Sequence, residues 1–320
     1  MNFKVLGTGS YIPPRVVTND ELSTMVDADD RAITKLVGIK ERHVSVNETT
    51  SQMGTKAALA ALENSDVKPE ELDLILAVTM TAEYANPGIS AMIQRDIGAT
   101  CPAMDIGGAA CTGFMFLMET CASFLATGKY KKVLLVAAER LSGITDWSEK
   151  NTAIIFADGA GAMVVSDEEN NLLASELHTY GEDETIVVPD VTGNSPFWEG
   201  DTVDKVTIYM NGTKTYRFAI AQMRMIMENM MTKLNITGDD IKWVLPHQAN
   251  IRIINEAKKK IPVAAEKFRT TIEKYGNISS ACIPVLLDEL NRNGEIQRGD
   301  LLAMVAFGGG LHSGGVILRW

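Results

Sequence analysis

The chain contains an internal similarity that restricts the folds open to it. Residues 59–76 and residues 228–245 lie at an offset of 169, and each pattern predicts an amphipathic helix, a turn with two adjacent acidic residues and a short apolar strand. The same offset places Cys111 on Ser280, and both lie among small residues close to an apolar helical segment. A period this long excludes a solenoid and indicates the doubling of one unit.

Each half of the chain alternates helix and strand patterns, which predicts a sheet covered by helices. We therefore predict an α/β protein with an N-terminal half at residues 1–170 and a C-terminal half at residues 171–320. Two such halves stacked on one another give a five-layered αβαβα body. Strands buried on both faces are near-continuous apolar runs, and the chain has three of them, at residues 74–78, 133–137 and 301–306.

Residues 178–215 break this alternation. The segment is rich in Asp, Glu, Pro and Gly, a composition typical of loops, and it predicts an irregular surface excursion that caps a site. In α/β sheets, ligand sites gather at the carboxyl ends of the strands. Functional residues are therefore expected directly after the predicted strands.

The composition excludes several classes of protein. The 41 acidic and 30 basic residues give a net charge of −11, which argues against nucleic acid as the main partner. The four cysteines follow neither a disulfide nor a zinc spacing, which favours a reducing, cytoplasmic compartment. The N-terminus lacks the pattern of a signal peptide, and no apolar run reaches the length of about 18 residues that crosses a membrane. We expect a cytoplasmic protein without a bound metal or a membrane contact.

Cys111 stands in an unusual setting. Small residues at positions 107–110 precede it, and the mostly apolar run at 114–125 predicts a buried helix directly after it. A thiol at the N-terminus of a helix lies near free N–H groups, which favour the thiolate. The small side chains also leave room for a substrate, although this stretch alone fits an inert core cysteine equally well. The other cysteines are predicted to be buried fillers: Cys101, Cys121 and Cys282.

Two candidate partners come from the second half. His247 directly follows the predicted strand at 243–245, behind a proline that stiffens the chain. Asn277 lies in the turn that corresponds to the turn of Cys111, and a helix N-cap is its simpler alternative role. The glycine-rich loop at 307–315 allows the backbone to approach a ligand closely and to offer N–H donors. The remaining histidines lack such a context and are predicted to be surface or structural residues: His43, His178 and His312.

Together these motifs resemble the thiolase superfamily, and most closely the β-ketoacyl-acyl-carrier-protein synthase III family. The resemblance implies a thiolase-like fold and a homodimer. It also implies an acyltransferase that condenses an acyl-CoA primer with malonyl-acyl-carrier-protein, with loss of CO2, and so initiates fatty acid synthesis without a bound cofactor. The matching segments run from end to end of the chain: residues 7–13, 38–43, 109–113, 156–162, 246–252, 275–277 and 307–310.

The resemblance also implies roles for single residues. Cys111 takes the acyl group from acyl-CoA, while His247 and Asn277 stabilise the enolate that forms on decarboxylation. The backbone N–H groups of Cys111 and Gly309 form the oxyanion hole. Lys258 to Lys260 extend a basic docking surface for the acidic carrier protein. The residues that the resemblance assigns to the carrier protein and its pantetheine are Gln248, Ala249, Asn250, Ile251, Arg252 and Gly212.

Three positions depart from the family pattern. Ala32 and Lys150 stand where the family often holds the CoA adenine between a Trp and an Arg. The stacking face is lost and a planar guanidinium is replaced by a point charge, which leaves CoA affinity and primer identity open. Asn86 precedes Pro87 where an aromatic residue commonly reaches the acyl pocket of the partner subunit. The smaller side chain predicts a primer range broader than acetyl.

Three other functions use the same residue types. A condensing enzyme of a specialised-metabolite, polyketide-like pathway shares the cysteine, histidine and asparagine. A cysteine acyl-thioester hydrolase is a second alternative, although the flanks of Cys111 lack the papain-type signature. A non-catalytic acyl-binding protein is a third. Carbon–carbon bond formation separates the first from the second, and acylation of Cys111 separates both from the third.

Overall fold

The structure is a computed structural model that describes residues 1–189, Phe197 and residues 206–320. The strands are β1 Lys4–Tyr11, β2 Arg15–Thr18, β3 Glu41–Val44, β4 Leu74–Val78, β5 Ala103–Asp105, β6 Lys132–Arg140, β7 Asp158–Ser166, β8 Leu172–Glu182, β9 Ile186–Val187, β10 Tyr209–Met210, β11 Ile241–Pro246, β12 Leu301–Gly308 and β13 Gly310–Arg319. The α-helices are α1 Asn19–Leu22, α2 Asp30–Val37, α3 Thr50–Ser65, α4 Ile89–Ile97, α5 Gly113–Ala126, α6 Lys150–Ala153, α7 Gly212–Leu234, α8 Ile251–Lys260, α9 Ile272–Tyr275 and α10 Cys282–Arg292. Short 3₁₀ turns lie at Pro69–Glu71, Ala110–Thr112, Leu141–Gly143, Ala265–Lys267 and Ser279–Ala281.

The two main sheets have the same strand order and the same strand directions. The first sheet runs β1-β7-β6-β4-β5, and the second runs β8-β13-β12-β11. In each sheet the first three strands alternate in direction and the fourth is parallel to the third, and the first sheet has one further strand, β5, parallel to β4. The strands predicted at 74–78, 133–137 and 301–306 are β4, β6 and β12. The doubling predicted from the sequence is therefore confirmed.

The side chains of the central strands alternate between two layers of helices. Along β6, Leu135 and Ala137 join an apolar cluster with α5 and α10, whereas Leu134 and Val136 join a cluster with α3 and α4. Successive residues of a strand point to opposite faces, so this sheet is covered on both sides. The near-continuous apolar composition of β6 is the consequence.

The second sheet repeats this arrangement. Along β12, Met304 and Ala306 face the cluster shared with α5 and α10, whereas Ala303 and Val305 face α7 and α8. Helices α5 and α10 consequently form a central layer between the two sheets. The order of layers is α3 and α4, first sheet, α5 and α10, second sheet, α7 and α8, which confirms the predicted five-layered αβαβα body.

The predicted irregular excursion at 178–215 is wrong at both of its ends. Residues 178–182 complete β8, an edge strand whose outer side chains face solvent, so polar residues are tolerated in it. Helix α7 begins at Gly212, where the side chain of Asn211 accepts a hydrogen bond from the N–H of Lys214. The middle of the excursion, at 190–196 and 198–205, lies outside the described residues. Within the described ranges, no helix is both long and apolar enough to span a membrane.

Candidate active site

The turns of Cys111 and Ser280 are structural copies of one another. Cys111 lies in the 3₁₀ turn in front of α5, and Ser280 lies in the 3₁₀ turn in front of α10. The residue before each has a positive φ, +41° at Ala110 and +49° at Ser279. Backbone in this region is unusual for residues other than glycine. Its presence at both positions shows that the doubled unit keeps the same sharp turn.

The backbone of β12 approaches Cys111 closely. A Cβ atom placed on Gly308 would lie 2.9 Å from the backbone nitrogen of Cys111, so only glycine fits there without a shift. Cys111 itself retains partial exposure to solvent. Gly309 is buried in the turn that follows, where an added Cβ would lie 2.9 Å from the carbonyl oxygen of Ile186. The predicted glycine loop thus adjoins the predicted nucleophile.

The thiol of Cys111 is neutral in the resting protein. Burial raises its pKa to about 12, a hydrogen bond with Ser279 opposes this shift, and the negative charge of Glu139 adds to it. Burial thus opposes the thiolate that the helix terminus was expected to favour.

This protonation state predicts how the reactivity of Cys111 depends on pH. Its alkylation rate constant is expected to rise about tenfold per pH unit from pH 7 to pH 10, because the thiolate is the nucleophile and a pKa of about 12 leaves it scarce. Peptide mass spectrometry after iodoacetamide pulses measures the rate. The urea-unfolded protein serves as the control, with a plateau near the ordinary cysteine pKa of about 8.5. A plateau below pH 8.5 in the folded protein would contradict the assignment.

His247 is held at the carboxyl end of β11, as predicted. Its N–H donates to the carbonyl of Val305 at 2.8 Å, and its ring packs edge-on against Phe307 with centroids 5.3 Å apart. The side chain is buried, and burial lowers the pKa of the imidazole to about 3. Its Nδ1 has no hydrogen-bond partner among the described residues. A neutral ring with its proton on Nε2 therefore avoids an unpaired buried N–H.

Asn277 is fixed through both its backbone and its side chain. Its N–H donates to the carbonyl of Ile155 at 3.0 Å, and its own carbonyl accepts from the N–H of Ala157 at 3.0 Å. Its side-chain oxygen accepts from the N–H of Ser279 at 2.9 Å and from the thiol of Cys282 at 3.7 Å. Because both donors bind the side-chain oxygen, they fix the orientation of the carboxamide and leave its NH2 group available as a donor. Asn277 does not cap α10, whose cap position is Ala281, but its side chain accepts from the first N–H of the 3₁₀ turn at Ser279–Ala281.

Cys282 links the other candidate residues, although the sequence predicted only a buried filler. Its thiol contacts the side chain of Asn277 and accepts from the N–H of Ile278 at 3.3 Å. Burial raises its pKa, the nearby Cys111 raises it further, and a hydrogen bond from the backbone of Gln248 opposes the shift. The turns of Cys111 and Asn277 and the loop after His247 thus meet around this sulfur. The sequence signal for this role of Cys282 was its position five residues after Asn277.

The residues predicted to meet a carrier protein fall into two groups. The side chain of Gln248 is buried and spans the loop, donating to the carbonyl of Pro246 at 2.6 Å and accepting from the N–H of Thr271 at 3.1 Å. Ala249 is buried as well. Three others lie at the start of a helix and are at least partly accessible: Asn250 and Arg252 at α8, and Gly212 at α7.

The helix α8 carries the predicted basic surface. The side chain of Asn250 caps it by accepting from the N–H of Arg252 at 2.8 Å, and Ile251 packs against Gly38. Arg252 is exposed and has no ion pair within the described part of the chain. Lys259 and Lys260 instead approach the same glutamate, Glu256, at 3.2 and 3.8 Å. Lys258, which is half-buried, also has no ion pair within the described ranges, so Arg252 is the exposed unpaired cation of this helix.

The departures from the family pattern lie at the surface. Ala32 is half-buried in the first turn of α2, and the Nζ of Lys150 donates to the carbonyl of Asp27 at 3.0 Å. Asn86 is exposed in the loop before α4. No group of three or more His, Cys, Asp or Glu side chains suited to a metal ion occurs among residues 1–189, 197 and 206–320.

Two models of one protein family match the chain. The model described as 3-oxoacyl-[acyl-carrier-protein (ACP)] synthase III matches residues 104–181, and the model of its C-terminal part matches residues 231–320. The first match contains Cys111, and the second contains His247 and Asn277. Together the two matches cover more than half of the chain.

Individual proteins are similar over their full lengths. A beta-ketoacyl-[acyl-carrier-protein] synthase III from Clostridium acetobutylicum is 40% identical over 319 residues, which cover 99% of this chain and 98% of that protein. A protein of the same name from Oceanobacillus iheyensis is 42% identical over 324 residues, which cover 100% and 99%. The crystal structure of 3-oxoacyl-[acyl-carrier-protein] synthase III from Aquifex aeolicus VF5 has a TM-score of 0.92 and 37% identity, over 99% of this chain and 100% of that one. On this agreement of sequence and fold, the chain belongs to the β-ketoacyl-[acyl-carrier-protein] synthase III family, with the thiolase-like fold that its motifs predicted.

Proposed function

We propose that this protein catalyses the decarboxylating Claisen condensation of an acyl-CoA primer with malonyl-acyl-carrier-protein. The product is a β-ketoacyl-acyl-carrier-protein, and the reaction initiates fatty acid synthesis. The observation that carries the proposal is that the Cys111 turn packs against the Ser280 turn, which directly follows Asn277, and against β12, whose Val305 and Phe307 contact His247. The names of full-length relatives that are about 40% identical support the same activity.

In the first step, Cys111 takes the acyl group. Its sulfur attacks the thioester carbon of acyl-CoA, the bond to the CoA sulfur breaks, and the thiol proton leaves with CoA as free CoA thiol. Because the pKa of Cys111 is about 12, proton loss has to accompany attack rather than precede it. The N–H groups of Cys111 and Gly309 stabilise the tetrahedral oxyanion, since the chain at Gly308 allows this close approach.

In the second step, malonyl-acyl-carrier-protein loses CO2 and leaves an enolate. His247 donates from Nε2 and Asn277 from Nδ2 to the enolate oxygen. An imidazole with a pKa of about 3 stays neutral at pH 7, and a carboxamide does not ionise in water. Both groups therefore stabilise the charge as fixed dipoles, without becoming acids themselves.

In the third step, the enolate carbon attacks the acyl carbon of the Cys111 thioester. A carbon–carbon bond forms, the carbon–sulfur bond breaks, and the departing thiolate takes a proton from water. Thioesters and fixed hydrogen-bond donors suffice for this chemistry, so the proposal includes no bound cofactor. The protein is accordingly an acyltransferase.

Product analysis tests the proposal. The protein is incubated with an acyl-CoA and with either malonyl-acyl-carrier-protein or malonyl-CoA, and β-ketoacyl products are identified by mass spectrometry. We expect the product on the carrier protein. A product formed only from malonyl-CoA would favour a specialised-metabolite synthase, and free acid without a new carbon–carbon bond would indicate a hydrolase. Neither alternative is favoured by the names of the relatives.

The proposal extends to the docking of the carrier protein on α8. Replacing Arg252 by Glu is expected to lower carrier-dependent condensation at least about tenfold, because the exposed guanidinium faces an acidic partner. Acylation of Cys111 by acyl-CoA should stay within about twofold, since that step involves no carrier. Condensation is measured by product formation and acylation by intact mass, both on the same variant.

The matched control for Arg252→Glu is Arg95→Glu. Arg95 lies exposed on α4, in the outer helix layer of the other half, where its ion pair with Asp96 contributes little stability. This substitution makes the same change of charge away from the proposed docking surface, so condensation by the variant should match that of the unchanged protein. An equal loss of acylation and condensation in Arg252→Glu would remove the docking assignment.

The proposal also includes a homodimer in the cytoplasm. Strand β5 lies at an open edge of the first sheet, and its Met104 is 43% exposed in the single chain. An edge strand with an exposed apolar side chain is suited to pairing with a second copy. Asn86, in the loop that precedes α4, would then reach the acyl pocket of the partner.

The side chain at position 86 is proposed to set the primer range. With Asn86, acylation of Cys111 should proceed with acyl-CoAs longer or more branched than acetyl, because a small side chain leaves the pocket open. Asn86→Phe is expected to narrow the range toward acetyl. Acylation rates over a chain-length series measure both proteins, and a strict acetyl preference of the unchanged protein would refute the assignment.

A further inference from the structure

Glu139, at the end of β6, is a buried acid that the reaction steps above do not use. It has no solvent-exposed surface, and no Lys or Arg pairs with it anywhere in the described ranges. Burying a carboxyl group without a cation is costly unless hydrogen bonds satisfy its oxygens. Burial raises its pKa, and hydrogen bonds, with that from Ser280 first, oppose the shift.

Both oxygens of Glu139 are occupied by donors from the two halves of the chain. One oxygen accepts from the hydroxyl of Ser280 at 2.6 Å. The other accepts from the N–H of Met80 at 3.1 Å and from the hydroxyls of Thr79 and Thr81 at 3.2 Å each. With four donors in place and no exposed surface, Glu139 does not contact a substrate. Its effect is to tie the turn of Ser280 to the segment after β4.

The doubling of the chain shows which residue of the other half corresponds to Glu139. The offset of 169 that carries Cys111 onto Ser280 also carries Glu139 onto Gly308. Strand β12 packs on the Cys111 turn with Gly308, and β6 packs on the Ser280 turn with Glu139. Because glycine has no side chain, the backbone of β12 packs directly on the Cys111 turn, whereas the glutamate places a hydrogen-bonded side chain at the equivalent position. Cys111 keeps partial exposure to solvent and Ser280 is buried, so one copy of the turn is open and the other is anchored.

The anchored turn is the one that carries Asn277. Its Ser279 has a φ of +49°, a strained conformation for a residue with a side chain, which persists only when neighbours fix it. The carboxamide oxygen of Asn277 holds the N–H of Ser279, and Glu139 holds the next residue, Ser280. The position of the Asn277 side chain therefore depends on the hydrogen bond between Ser280 and Glu139.

We propose that Glu139 is a positioning residue that, through Ser280, holds the turn of Asn277 in the geometry required for condensation. The inference rests on the proposed function of Asn277. Cys111 lies in the other copy of the turn; Glu139 acts on it only through charge, which Ser280→Ala leaves in place, and the anchored turn reaches it through a hydrogen bond with Ser279. Loss of the anchor therefore impairs the step that uses Asn277 more than the step that uses Cys111 alone.

The test compares Ser280→Ala with Ser10→Ala. Each change removes one serine hydroxyl that donates to a buried carboxylate at 2.6 Å across the two halves, to Glu139 in the first and to Asp288 in the second. We expect Ser280→Ala to lower kcat of condensation about tenfold or more, because small displacements of a positioned group are costly. Acylation of Cys111 should stay within about threefold, and Ser10→Ala should change neither step. Equal losses in both steps, or no loss, would overturn the proposal.

Glu139→Gln supplies the conservative rescue. Its carbonyl can accept from the N–H of Met80 while its NH2 group bonds to the hydroxyl of Ser280, so the anchor is kept without charge. Condensation should remain within about threefold of the unchanged protein. A Glu139→Gln loss as large as that of Ser280→Ala would count against positioning. If Ser280→Ala does not fold, Glu139→Asp, which withdraws the carboxylate by one methylene, takes its place in the comparison.

Hydrogen exchange gives a readout that does not depend on the reaction. The amide of Ser279 should exchange about tenfold faster in Ser280→Ala and at an unchanged rate in Ser10→Ala, since only the first change frees the turn. Unchanged exchange in Ser280→Ala would overturn the anchor. If the unchanged protein were not acylated at all, the proposed function would fail while this exchange comparison would still decide the role of Glu139.

Discussion

Cys111→Ala is expected to abolish acylation by acyl-CoA and to lower condensation by about 10⁴-fold or more, as is usual when a nucleophile is removed. The sulfur forms the only covalent bond to the primer in the proposed reaction, and no neighbouring group replaces it. Intact mass after exposure to a panel of acyl-CoAs measures the adduct. The unchanged protein should gain the mass of one acyl group.

The matched control for Cys111→Ala is Cys121→Ala. Cys121 lies two to three turns further along α5 and is fully buried in the central apolar cluster. The same substitution there costs packing but leaves the proposed site intact, so one acyl group should still be gained. An adduct that persists in Cys111→Ala would show that another group is acylated and would remove the proposed mechanism.

Asn277→Asp is expected to lower condensation by about 10²–10³-fold, the usual loss on removal of one donor to a developing oxyanion. Aspartate has the same shape and keeps the oxygen that accepts from the N–H of Ser279 and the thiol of Cys282. It replaces the NH2 donor with a second oxygen. The substitution therefore removes the proposed donor and leaves the local hydrogen bonds in place.

Two measurements separate this effect from a general loss of structure. Acylation of Cys111 in Asn277→Asp should stay within about fivefold of the unchanged rate, because that step does not use the carboxamide. Asn235→Asp, at the exposed left-handed C-cap of α7, is the control with the same chemical change and should keep both rates. Condensation retained within threefold in Asn277→Asp would exclude Asn277 as a donor to the enolate.

The local sequence patterns were sufficient to predict the architecture. The apolar runs at 74–78, 133–137 and 301–306 identified β4, β6 and β12, because strands covered on both faces need apolar residues at every position. The offset of 169 identified the doubling, because two copies of one unit keep the same order of helices, turns and strands. The predicted bounds of the excursion at 178–215 were less accurate, since polar residues are compatible with an exposed edge strand as well as with a loop.

The candidate site was predictable as a set of positions but not as a set of chemical states. Cys111, His247 and Asn277 stand out because each follows a strand or a small-residue turn at a recognisable place in the chain. The burial that sets the pKa values of Cys111 and His247 could not be predicted from the local pattern. Burial depends on which distant segments pack around a side chain.

The sequence by itself thus determined the doubled α/β architecture and the positions of the candidate residues, since both depend on the order of residues along one segment. Only the tertiary structure assigned Cys282 and Glu139 to the neighbourhood of the site. Glu139 and Ser280 are 141 residues apart in sequence, and no local pattern records such a contact. The hydrogen bond between them exists because the two halves pack together, and that packing decides which of the two equivalent turns is open and which is anchored.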